Sequence, residues 1–136
     1  MWGKINMIKQ IKSSEIKNYI KVNSNVVLLD VRTENEWTTL GKPNAEDLNS
    51  KTYFITVSPD LSNWQVPDSN FVENVKKNIN KDKTILVMCA AGGRSLIAAN
   101  LLEAEGYSTL NVSDGFRGNG QNPGWQKLGL PSIIDN

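Results

Sequence analysis

The sequence predicts an α/β fold around a parallel sheet, and three observations carry that expectation. Val26-Val27-Leu28-Leu29-Asp30-Val31 is a continuous apolar, β-branched run, which is how a strand covered on both faces reads. Strand-like runs then alternate along the chain with segments of three- and four-residue apolar spacing, the pattern of parallel strands joined by helices. Finally, Thr84-Ile85-Leu86-Val87-Met88 ends in Cys89 and a turn with two adjacent glycines, after which a helix begins.

The elements follow in order. Ser13-Ser14-Glu15 offers a cap for a short helix carrying Ile16, Tyr19 and Ile20, ahead of the first strand. Thr33-Glu34-Asn35-Glu36 matches a capping box, with Thr33 as N-cap and Glu36 reaching back to its backbone, so a short helix carrying Trp37 should follow. Gly, Pro, Asn and Asp between Gly41 and Ser50 predict a loop, and Tyr53 to Val57 a second strand. After an irregular stretch from Ser58 to Pro67, Phe71, Val72, Val75 and Ile79 lie at helical spacing within Asp68 to Ile79. The helix from Arg94 carries Leu96, Ile97, Ala99, Leu101 and Leu102, and Gly106 stands where a left-handed residue closes a helix. Thr109 to Val112 makes a last short strand before a Gly-rich tail.

Composition narrows the chemistry. The 136 residues suit a single core, with 39% hydrophobic and 21% charged residues as in a globular domain. Fifteen Lys and Arg against fourteen Asp and Glu leave a formal charge of +1, too balanced to drive non-specific nucleic-acid binding. No stretch approaches the roughly 20 apolar residues that span a bilayer, and Met1 to Asn6 lacks the apolar core of a secretory signal, so a cytoplasmic location is the expectation. A lone cysteine forms no internal disulfide, and the absence of histidine excludes Cys-His and Ser-His dyads as well as histidine-bearing zinc sites. Neither metal nor cofactor is implied.

The segment Cys89-Ala90-Ala91-Gly92-Gly93-Arg94-Ser95 is therefore the candidate site. A strand stops, glycines permit strained backbone angles and close approach of the main chain, and a helix starts. Successive backbone N–H groups in such a turn can converge as an anion nest, to which the helix N-terminus adds its positive end. A helix start and a nearby arginine both favour thiolate over thiol, and the same donors would stabilise a persulfide anion. Cys89 is the expected sulfur acceptor, Ala90 to Ser95 its anion cradle, and Arg94 the group that orients an anionic donor such as thiosulfate. Ser95 either caps the helix or bonds the sulfur. Asp30 and Arg32, at the same end of the sheet, are expected as a supporting layer, either as an ion pair that braces the loop or in contact with substrate. Trp37, Trp64 and Trp125 read as packing aromatics, and Phe116 as a residue lining the mouth.

These residues resemble the single-domain rhodanese homology family. The likeness runs through Val27 to Thr33 with Glu36-Trp37, through Cys89 to Ser95, and through Gly106-Tyr107 and Asp114-Gly115-Phe116 to Gly124-Trp125 and Gly129-Leu130-Pro131. It spans 10–131, leaving a stub at 1–9 and a tail at 132–136. The resemblance implies a central five-stranded parallel sheet flanked by helices on both faces, and a sulfurtransferase that moves sulfur from thiosulfate or a persulfide to a thiol or other thiophilic acceptor. It also implies a spacing test: sulfurtransferase members have four residues between cysteine and arginine, as here, whereas related phosphatases and arsenate reductases have five. A non-catalytic sulfur carrier or protein-binding module is the alternative. Leu40-Gly41-Lys42-Pro43-Asn44-Ala45, where many members read Gly-His-Ile-Pro-Gly-Ala, departs from the pattern beside the expected pocket rim. No residue pattern speaks to oligomeric state.

Overall fold

The computed structural model describes residues 7–134; residues 1–6 of the stub, including the opening read for a secretory signal, and residues 135–136 of the tail lie outside the described residues. Five parallel strands form the main sheet: β1 (Gln10–Ile11), β2 (Val26–Asp30), β4 (Thr52–Phe54), β5 (Thr84–Met88) and β6 (Ser108–Val112), in the order β1-β6-β5-β2-β4. Between β2 and β4 comes β3 (Lys42–Pro43), which pairs antiparallel with β7 (Ser132–Ile133) and so ties the end of the described chain to the loop after β2.

The two-residue period of the strands divides the core. Val27, Leu29, Val31, Ile85, Val87 and Cys89 face α3 (Phe71–Asn78) and α4 (Gly93–Ala104). Val26, Leu28, Leu86 and Met88 face the opposite layer, built from α1 (Ser13–Val22), Ala45 and Trp125 of α5 (Gly124–Lys127). Every residue of β2 is buried, as its unbroken apolar run requires of a strand with helices above and below. Cys89 thus leaves the C-terminal edge of a central strand on the α4 side.

Helix ends follow from local chemistry. The capping box forms at α2 (Glu34–Leu40): the Glu36 amide donates to Thr33 Oγ1 at 3.3 Å, and the Thr33 amide donates to Glu36 Oε1 at 3.1 Å. At the far end of α4, Gly106 takes φ +103°, its amide donating to Glu103 and that of Tyr107 to Leu102, so the helix closes in a Schellman motif.

Several expectations are corrected. Ser13 is not a cap; it is the first residue of α1, and its amide and hydroxyl donate to Asp114 Oδ1 instead. Of the residues expected on α4, Ala99 and Leu102 are buried with Arg94, Ser95 and Ala98, and Leu96 is exposed. The second strand is shorter than predicted and starts at Thr52; the predicted loop before it contains the one-turn helix Ala45–Leu48. β1, too short to give a periodic signal, was not foreseen.

Candidate active site

Cys89 sits at the end of β5 with only 1% of its surface exposed. Its Sγ accepts the Gly92 N–H at 3.1 Å and lies 3.3 Å from Ser95 Oγ. Gly92 reaches that position with φ +104°, and a Cβ there would stand 2.4 Å from the Ser113 carbonyl oxygen, so the turn admits no side chain. The amides of Gly93, Arg94 and Ser95 open α4 and have no intrahelical acceptor, which puts the positive end of a twelve-residue helix beside the sulfur. Ser95 is not the cap: Gly92 holds that position, and Ser95, the third residue of α4, is fully buried with its hydroxyl paired to the sulfur.

The turn is held from outside by its own carbonyls. The Phe116 amide donates to Cys89 O at 2.8 Å and the Arg117 amide to Ala90 O at 2.9 Å. Gly115 allows this approach, since a Cβ on it would fall 2.4 Å from Ala90 O. Asp114 anchors the same corner, accepting from Ser13 and, through Oδ2, from the Gly124 amide at 3.0 Å. Phe116 is fully buried in the core beneath the Arg32 guanidinium, 4.3 Å from its ring centre, and does not line the mouth.

Arg94 is committed. Its two terminal nitrogens donate to the two carboxylate oxygens of Glu36 at 2.7 and 2.9 Å, a bidentate clamp between the starts of α2 and α4. Burial works against the charge of both groups. For Glu36, hydrogen bonds from Arg94 and Thr33 and the Arg94 charge outweigh it and hold the carboxyl below its usual range. For Arg94, the hydrogen bonds to Glu36 and its charge outweigh burial and raise the guanidinium above the ordinary arginine value. Sequence reasoning read Glu36 only as a capping residue. Its box spends one oxygen on Thr33, which leaves the other for a cation, and that was the available signal.

Asp30 and Arg32 form a wholly buried pair at 2.8 Å, and Arg32 Nη2 also donates to Gly41 O at 2.9 Å. Neither lines the cleft over Cys89; they brace the loop after β2. That cleft has a volume of about 320 Å³ and is lined by Cys89, Ala90, Ala91 and Arg94 together with Leu61 and Trp64 from the long segment after β4. Trp64 was read as packing alone. Its ring lies against Gly93, where a Cβ would come within 3.2 Å of Cη2. Among the described residues no group of His, Cys, Asp and Glu could hold a metal ion, and no helix is long and apolar enough to cross a membrane.

A buried cysteine in a glycine turn at the head of a helix, above a five-stranded parallel sheet, agrees with the profile of the rhodanese-like domain, which matches residues 13–119. The chain belongs to the rhodanese-like domain family. An uncharacterized protein of Rickettsia prowazekii is 38% identical over 128 residues, covering 92% of this chain and 97% of its own. A Bacillus subtilis protein named "Putative sulfurtransferase YtwF" is 25% identical over 109 residues, covering 80% of this chain and 87% of its own. Among solved structures, Rv0390 from M. tuberculosis superimposes with a TM-score of 0.80 at 26% identity, covering 96% of this chain and all of its own. The rhodanese-like fold expected from the residues is the fold observed.

Proposed function

We propose that this rhodanese-like protein is a sulfurtransferase that carries sulfane sulfur as a persulfide on Cys89. The observation that supports the reading best is the sulfur's setting: Sγ in the cleft lining, 3.1 Å from the Gly92 amide, at the start of α4. The name of the Bacillus subtilis relative agrees with it.

In the proposed cycle the Cys89 thiolate attacks the outer sulfur of a donor. With thiosulfate, the S–S bond breaks and sulfite leaves with the bonding pair, giving Cys89–S–S⁻. An acceptor then attacks the outer sulfur: cyanide departs as thiocyanate and the thiolate returns, or a thiol leaves as its own persulfide. The Gly92 N–H, the open amides of α4 and the Ser95 hydroxyl would steady the negative sulfur in both forms. Arg94 adds positive charge from its Glu36 clamp. Low-mass thiols or protein thiols are the acceptors this chemistry admits.

The test is cyanide-dependent thiocyanate formation with thiosulfate and with a persulfide donor. Wild type should turn over at least one, and Cys89→Ser neither. Equal rates in the two proteins with both donors would defeat the assignment.

A further inference from the structure

The cleft over Cys89 sets an apolar wall, Leu61 and Trp64, opposite the amides that face the sulfur. Among the described residues its one charged lining residue is Arg94, whose two terminal nitrogens each donate one hydrogen bond to Glu36. The Glu36 carboxylate offsets the Arg94 charge, so the pair as a whole gives the second negative charge of a dianion little to gain. Beside Cys89 and Gly93, the remaining side chains of the lining are apolar: Trp64, Leu61, Ala90 and Ala91. The volume of about 320 Å³ exceeds many times the roughly 10–15 Å³ that one water needs, so a donor larger than thiosulfate has room.

Resting on the assignment of Cys89 as sulfur acceptor, we propose that Trp64 and Leu61 are specificity-determining residues that make organic persulfides with an apolar substituent, R–S–SH, the preferred donors over thiosulfate. R lies against the indole and the leucine, where burial of its apolar surface is favourable and no charge is stranded. The Cys89 thiolate attacks the terminal sulfur; the S–S bond breaks, R–S⁻ leaves with the bonding pair, and Cys89 retains –S–SH. No oxidant or reductant is consumed. Gly93 is bare so that the indole can close over the turn.

Stable probes make this testable: benzenethiosulfonate and methanethiosulfonate present the same sulfane sulfur on a large and a small apolar group, and thiosulfate presents it on a charged one. The measurement is the initial rate of Cys89 sulfur loading, each divided by that donor's rate with free cysteine. Benzenethiosulfonate should exceed both others by about tenfold or more, chiefly through a lower KM. Trp64→Ala should bring the three normalised rates to near equality, and Trp64→Phe should restore most of the preference. Leu61→Ser, at a residue 47% exposed and so no threat to folding, should lower the preference in part. Normalised rates that favour thiosulfate, or a preference unmoved by either the Trp64 or the Leu61 change, would overturn this inference while leaving Cys89 as the acceptor. Loading from none of the donors would overturn both.

Discussion

Gly92 meets two demands at once: a backbone with φ +104°, and a main chain pressed so close to Ser113 that a methyl group would sit 2.4 Å from its carbonyl oxygen. Gly92→Ala should therefore cost roughly 2–3 kcal/mol in urea unfolding, strain and clash together, and should displace the amide that bonds Sγ. Gly93→Ala should cost much less, because the new Cβ meets the edge of the Trp64 ring at 3.2 Å, which can shift. Equal losses would mean that the two glycines merely loosen the turn. Ser95→Ala should keep the fold, at about 1 kcal/mol, and slow sulfur loading of Cys89 by removing the hydroxyl 3.3 Å from Sγ. At this scale Cys89 and its turn were legible, because a glycine pair between a strand and a helix has few other uses. The burial of Phe116 was not, since nothing local shows that Arg32 stacks on its ring.

At the scale of elements, α2 and α4 are joined through Glu36, which caps the first with one oxygen and clamps Arg94 of the second with both. Glu36→Gln should destabilise by roughly 2–3 kcal/mol, since it strands a buried guanidinium. The acid behaviour follows from the same clamp. Because the folded state holds this carboxyl below its ordinary value of 4.5, its contribution is full above about that pH and is lost as pH falls through the folded value. Denaturation midpoints measured from pH 7 to 3 should fall more steeply below 4.5 in wild type than in Glu36→Gln. Some slope should persist in the variant, because Glu46 is likewise held low by Thr52. A parallel pair of curves would contradict the clamp. Thr33 and Glu36 announced α2 because a capping box is local chemistry; the partner of Glu36 is 58 residues away, beyond any periodic signal. The same limit hid β1, a two-residue strand defined by pairing with Asn111 and Val112.

Across the whole molecule, the far end of the described chain supports the loop that holds the sulfur. Trp125 is fully buried, its Nε1 donates to Pro131 O at 2.8 Å, and its amide and that of Gln126 donate to Gly115 and Phe116, whose neighbouring amides hold the Cys89 and Ala90 carbonyls. Trp125→Ala should cost roughly 3–5 kcal/mol and also speed hydrogen exchange at the Phe116 and Arg117 amides. Unchanged exchange there would show that the C-terminal helix packs without bracing the turn. The order of elements and the parallel sheet could be read from alternating apolar patterns, whereas this clasp depends on contacts that only the assembled fold creates. The proposed function requires one sulfur atom to take up another. Intact-protein mass spectrometry after exposure to thiosulfate, methanethiosulfonate and benzenethiosulfonate should find a gain of about 32 Da, one sulfur, mapped to Cys89 and absent from Cys89→Ser. No gain with any donor, in protein shown to be reduced and folded, would contradict it.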